Sequence, residues 1–88
     1  MFLCNNQLDD KSLLYLIEGF PTALKEINLG NNVLGKRGAS IIASHISKFL
    51  NLKSINLQNN LLGDKGATLL LINIQRNMTI IKLNLSEN

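Results

Sequence analysis

The apolar residues grouped around one Asn in Leu24-Lys25-Glu26-Ile27-Asn28-Leu29-Gly30-Asn31-Asn32-Val33-Leu34 come back further along the chain, and this recurrence constrains the fold most. The arrangement returns 28 positions later as Leu52-Lys53-Ser54-Ile55-Asn56-Leu57-Gln58-Asn59-Asn60-Leu61-Leu62, and again as Ile80-Ile81-Lys82-Leu83-Asn84-Leu85-Ser86-Glu87-Asn88. With Ile allowed for Leu, the copies follow L-x-x-L-x-L-x-x-N-x-L, the last of them stopping at the Asn. Met1 to Leu8 reads as the tail of an earlier copy, since Leu3, Asn6 and Leu8 lie 26 residues before Leu29, Asn32 and Leu34. A repeat of this length is one supersecondary unit, which cannot bury its apolar face alone and must stack on its neighbours.

Between the copies the apolar period changes from that of a strand to that of a helix. Leu13, Leu16, Ile17 and Phe20 share one helical face. The same face reappears as Ala39, Ile42, Ala43 and Ile46, and then as Ala67, Leu70, Leu71 and Ile74. Pro21 cuts the first helix short, because it has no amide to give to a helix interior. The pattern predicts parallel strands near Phe2 to Cys4, Glu26 to Leu29, Ser54 to Leu57 and Lys82 to Leu85, with helices starting near Asp10, Lys36 and Asp64. One domain spans 1–88, divided into a partial unit 1–23, units 24–51 and 52–79, and a partial unit 80–88. Asn6, Asn32, Asn60 and Asn88 are expected to pair with backbone groups where each strand bends away, since a carboxamide both donates and accepts. Gly38-Ala39 and Gly66-Ala67 place small residues where a helix approaches the sheet, whereas the first helix has Ser12-Leu13.

The tracts Leu34-Gly35-Lys36-Arg37-Gly38-Ala39 and Leu62-Gly63-Asp64-Lys65-Gly66-Ala67, each opening a helix, make the whole chain resemble the ribonuclease-inhibitor-type leucine-rich repeat. The resemblance implies an α/β fold, a short right-handed horseshoe segment of a leucine-rich repeat solenoid, with a parallel sheet on the concave side and helices on the convex side. Similar segments occur in cytosolic nucleotide-binding immune receptors, tropomodulin and the Ran GTPase-activating protein. It implies a non-enzymatic module that binds a partner protein through the concave face and adjoining loops, with no cofactor and a cytoplasmic setting. An alternative is an accessory segment of a larger catalytic assembly of GTPase-activating or ubiquitin-ligase type, or of a secreted bacterial effector acting in a host cytosol. Fold analogy does not choose among such partners. Ribonuclease inhibition itself is not expected, because the concave positions here are mostly neutral rather than acidic and aromatic.

Those positions are Asn28, Gly30, Ser54, Asn56, Gln58, Lys82, Asn84 and Ser86, taken as the partner-binding candidates. Asn28, Asn56 and Asn84 form a row across the strands, about 4.8 Å apart. The row reads equally as the floor of a protein-binding site and as an exposed strand position that tolerates Asn and carries ladder hydrogen bonds. Asn60→Ala is expected to cost about 1 to 3 kcal/mol by leaving backbone groups unpaired, and Asn56→Ala to be nearly silent.

Other partners are set aside on composition. A net charge of +3 without a Lys or Arg run, and with few aromatics, does not make a nucleic-acid groove. The longest apolar run, Leu69-Leu70-Leu71-Ile72, is far too short to insert in a membrane. Met1 to Asn6 lacks the basic and apolar regions of a signal peptide, and one Cys cannot form an internal disulfide, which fits a reducing compartment. On that ground the sequons Asn77-Met78-Thr79 and Asn84-Leu85-Ser86 are read as accidental. Lys11, Arg37 and Lys65 share one repeat position, either facing an acidic partner or, preferably, forming a solvated face beside Asp9, Asp10 and Asp64. His45 is expected in solvent with no metal or catalytic neighbours, and Cys4 as an ordinary exposed thiol. Tyr15, Ile41 and Leu69, joined by Leu14 and Ile72, are expected to fill the seams between helices. The chain starts in mid-strand and stops at Asn88 without the following helix, so it is expected to belong to a longer array and to self-associate through open repeat ends.

Overall fold

The computed structural model describes residues 1–76 and 82–88. The described residues form an α/β unit in which β1 (Glu26–Asn28), β2 (Ser54–Asn56) and β3 (Lys82–Asn84) make a parallel sheet in the order β1-β2-β3. Between them run α1 (Asp10–Ile17), α2 (Gly35–His45) and α3 (Gly63–Gln75), with a short 3-10 turn at Ile46–Lys48 after α2. The helices pack side by side, α1 on α2 and α2 on α3. The helix starts fall within a residue of the sequence expectation. The sequon at Asn77 and the leading Ile80-Ile81 of the last copy lie outside the described residues.

The register follows the sequence repeat. Glu26 stands opposite Ser54 and Ser54 opposite Lys82, with Ile27, Ile55, Leu83 and Asn28, Asn56, Asn84 in the next two rows. The expected strand at Phe2 to Cys4 is reduced to a single parallel bridge between Phe2 and Asn28, so the sheet has three strands rather than four. Backbone bonds still tie this segment to β1, from the Asn28 amide to the Met1 carbonyl and from the Leu3 amide to the Asn28 carbonyl, both 2.8 Å. The chain turns away immediately afterwards, with Asn5 at φ 61°. The same left-handed geometry recurs at Asn31 and Asn59, a conformation Asn tolerates better than most residues.

Alternation along each strand sends Ile27, Leu29, Ile55 and Leu57 into the core, where they meet Leu13, Ile17, Ile42, Ile46 and Leu70 from the helices. Phe49 closes the end of this core and lies tilted against Phe20, ring centroids 6.5 Å apart. One part of the expected helical face divides in a way the sequence pattern does not show. At the position shared by Leu16, Ile42 and Leu70, the last two are buried but Leu16 is 39% exposed. At the next position Ile17 is buried, Ala43 half-buried and Leu71 44% exposed. The first position therefore packs toward the preceding unit and the second toward the following one, and each is uncovered where no helix stands beside it among the described residues. Leu83 and Leu85 are likewise half-buried where Ile55 and Leu57 are fully buried.

The helix starts differ. The Asp9 carboxylate accepts from the Ser12 amide at 2.8 Å and caps α1, a bond that favours its ionised form and lowers its pKa below the ordinary value. In α2 and α3 no side chain caps the helix, and Gly35 (φ 67°) and Gly63 (φ 70°) stand at the position of Asp9. Gly38 has a steric reason: a Cβ there would lie 2.5 Å from the Leu34 Cβ. At Gly66 the nearest approach would be 3.2 Å, to the Ala39 Cβ on the preceding helix. Gly38→Ala is expected to destabilise by about 1 to 3 kcal/mol, since the overlap outweighs the gain in helix propensity of about 1 kcal/mol. Gly66→Ala should cost less, and urea unfolding that ranks the two in the opposite order would contradict this packing.

Candidate functional site

The sheet face opposite the helices carries the candidate positions. Asn28 and Asn56 are half-buried, and each fixes its carboxamide on its own turn: Asn28 Oδ1 accepts from the Gly30 amide at 3.0 Å and Asn56 Oδ1 from the Gln58 amide at 2.9 Å. Asn84 repeats the bond with the Ser86 amide at 3.0 Å and adds the Ser86 hydroxyl at 2.7 Å. This is the Asx turn that short carboxamides form two residues ahead, and it gives a local reason for Asn three times over. With the oxygens so committed, the Nδ2 groups of Asn28 and Asn56 have no hydrogen-bond partner among the described residues.

The expected Asn-to-Asn ladder is found elsewhere. Asn59 Nδ2 donates to Asn31 Oδ1 at 3.1 Å, at the turn, while Asn84 Nδ2 donates to Gln58 Oε1 at 3.3 Å. Gly30 is buried, and a Cβ on it would lie 3.3 Å from Asn28 Oδ1 and 3.4 Å from Asn56 Nδ2, so it forms the floor beneath the carboxamides. Ser54 and Gln58 are half-buried, and Lys82 and Ser86 exposed. Glu26 and Lys82 occupy the two ends of one row, two strand spacings or about 10 Å apart. The face is thus neutral and amide-rich in the middle, with opposite charges at its margins.

Phe2 also belongs to this face and was absent from the sequence candidates. It pairs with Asn28 and is 67% exposed, an aromatic ring at the end of the Asn row. Subtracting the 26-residue period from Asn28 leads directly to it.

Behind the face, Asn32, Asn60 and Asn88, 28 residues apart, build a backbone clamp. Asn32 Oδ1 accepts from the amides of Asn6 and Leu8, and its Nδ2 donates to the carbonyls of Leu3 and Leu29, all at 2.9 to 3.0 Å. Asn88 does the same one step on, accepting from Asn60 and Leu62 and donating to Leu57 and Leu85. Asn60 donates to Leu29 at 2.8 Å and to Gln58 at 3.2 Å, but its buried Oδ1 has no partner among the described residues. Asn32 and Asn60 are both buried, as expected from the sequence.

His45 is not simply solvated. It is half-buried, and its Nδ1 lies 2.8 Å from the Ile41 carbonyl, so this nitrogen carries the proton and donates one turn back. Asn73, at the same repeat position, donates to the Leu69 carbonyl at 2.8 Å. Both side chains fold back on the carbonyl four residues earlier in their own helix. Cys4 is half-buried and free, and no cluster of His, Cys, Asp or Glu suited to a metal ion is present among the described residues. No described helix is long and apolar enough to cross a membrane.

The apolar residues expected to fill helix seams are instead largely on the surface. Tyr15 is 91% exposed, and Leu14, Leu69 and Ile72 are exposed too; only Ile41 packs partly against the core. They lie toward the outer surface of the helix layer, where Leu14 and Ile41 line a shallow open groove between α1 and α2 rather than a closed seam.

Comparison of the chain with protein-family models, curated proteins and solved structures finds no match in any of the three.

Proposed function

We propose that this chain is a leucine-rich-repeat-type module, a short right-handed horseshoe segment that binds a partner protein and carries out no chemistry of its own. The observation that carries the reading is the Asn row. Turn bonds hold the carboxamides of Asn28 and Asn56 in place and leave their Nδ2 donors without a hydrogen-bond partner among the described residues, on a face that no described helix covers. Donors immobilised before contact lose little conformational entropy on binding. Phe2 at one margin supplies an apolar anchor, and Glu26 and Lys82 supply charges of opposite sign that would orient the partner. The 28-residue sequence period and the parallel stacking of strands support the repeat assignment.

The test is capture of partner proteins on the immobilised chain, with Gln58→Arg as the comparison, since an Arg there would stand in the middle of the face. A partner held by the native chain should bind about tenfold or more weakly to the variant, with an unchanged unfolding temperature. Equal binding by both chains would move the interface away from the sheet.

A further inference from the structure

The outer surface of the helix layer carries two rows that run together across all three helices. Lys11, Arg37 and Lys65 form the first, one on each helix and all exposed. Tyr15, Ile41 and Leu69 form the second, each four residues further on and therefore on the same side of its helix. A shallow groove between α1 and α2 is lined by Lys11, Leu14, Arg37 and Ile41 together with Asp10 and Ser40, and a second depression on α3 by Lys65, Leu69 and Ile72 together with Asp64 and Thr68, so two carboxylates share these depressions with the three cations. Among the described residues none of the three cations has a hydrogen bond or an ion pair. The acidic groups nearby do not neutralise them: the Asp9 carboxylate is taken up by the Ser12 amide, although it feels the Lys11 charge, and Asp10, Asp64 and Glu18 make no ion pair with them. Nor do the cations serve their helices, because a positive charge in the first turn opposes the helix dipole.

We propose that these two rows are a docking surface for an acidic amphipathic helix of a partner protein, distinct from the sheet face. The argument is one of spacing and charge. Packed helices lie about 8 to 10 Å apart, which sets the interval between successive cations along the row. A helix rises about 1.5 Å per residue, so acidic residues seven apart recur about every 10.5 Å and meet each cation in turn. Apolar residues four positions after each acid fall on the adjoining strip of that helix and cover Tyr15, Ile41 and Leu69.

The probe is a labelled synthetic helix of about 18 residues with glutamates seven apart and a leucine four residues after each, titrated with the intact chain and read by fluorescence anisotropy. Binding is expected that weakens as salt rises and falls about tenfold or more in the triple variant Lys11→Glu, Arg37→Glu, Lys65→Glu. Tyr15→Ser with Leu69→Ser should weaken it too, while Gln58→Arg on the sheet face should leave it unchanged, which separates this surface from the one above. Lys11, Arg37, Lys65, Tyr15 and Leu69 are exposed and Gln58 is half-buried on the open sheet face, so thermal unfolding should be little altered. Absence of binding, or full binding by the triple variant, overturns the proposal. So does binding to phosphatidylserine vesicles, lost in the triple variant, by a chain that ignores the peptide, since the surface would then face a membrane.

Discussion

Asn32→Ala is expected to destabilise the chain by about 2 to 5 kcal/mol, more than either Asn60→Ala or Asn56→Ala. The carboxamide makes four bonds of 2.9 to 3.0 Å to the backbone, three of them to Leu3, Asn6 and Leu8 in the preceding unit. Each such bond contributes about 0.5 to 1.5 kcal/mol net, and a group left unpaired in a poorly hydrated site costs about 1 to 3 kcal/mol. Against the total stability of about 4 to 13 kcal/mol usual for a domain of this length, such a loss can unfold a large fraction of the chains. Among the described residues Asn60 has its Nδ2 bonds to Leu29 and Gln58 to lose, and its Oδ1 has no partner there, so the cost should stay near 1 to 3 kcal/mol, that is about half as much. The Leu29 carbonyl illustrates the difference: it accepts from both Asn32 and Asn60, so either removal leaves it one donor. Asn56→Ala loses the bond to the Gln58 amide and should cost about 1 kcal/mol or less, small but not silent. Urea denaturation of the three variants measures the order directly. Equal midpoint shifts would mean that burial of the clamp does not govern its strength.

The repeat made much of this legible before any coordinates. Period arithmetic placed the strand registers, the helix starts and the burial of Asn32 and Asn60, because all of these follow from a unit that recurs. What it missed depends on where a unit stands among its neighbours. Leu16 and Leu71 belong to the same apolar face as Ile42 and Leu70 in sequence, yet their exposure is set by the presence or absence of an adjacent helix. Hydrogen-bond direction was also beyond a pattern of residue types. Asn28, Asn56 and Asn84 and the pair Asn31, Asn59 look alike as rows, but the first three accept on their oxygens from the amide two residues ahead while the pair bonds from one turn to the next. Phe2 was a different kind of miss, since the period pointed to it and only its unlike chemistry hid it.

The 88-residue chain is expected to dimerise through the side of the sheet that β3 leaves open. Among the described residues β3 pairs with β2 alone, so its other edge offers backbone groups for pairing, and Leu71, Leu83 and Leu85 beside it are only partly covered. An exposed strand edge next to apolar side chains is a template for pairing with another chain. Two modes of association are open, head-to-tail and two-fold, and Ser12 favours the two-fold one. In a head-to-tail mode, α1 of one copy would stack on α3 of another, as α3 stacks on α2. That approach relies on Gly66, where even a Cβ would lie 3.2 Å from Ala39, but α1 has Ser12 at the same repeat position. A two-fold mode that joins β3 to β3 avoids the Ser12 side chain, buries Leu71 on both copies and closes as a dimer instead of growing into a filament. Sedimentation over a concentration series should show a monomer–dimer equilibrium, with an unfolding temperature that rises with concentration. Leu71→Glu should return the chain to a monomer and Leu16→Glu should not, because Leu16 lies on the opposite end face. A monomer at every concentration would show that the β3 edge is protected by its own side chains, and larger assemblies broken by Leu16→Glu would show that Ser12 is accommodated and that stacking runs head to tail.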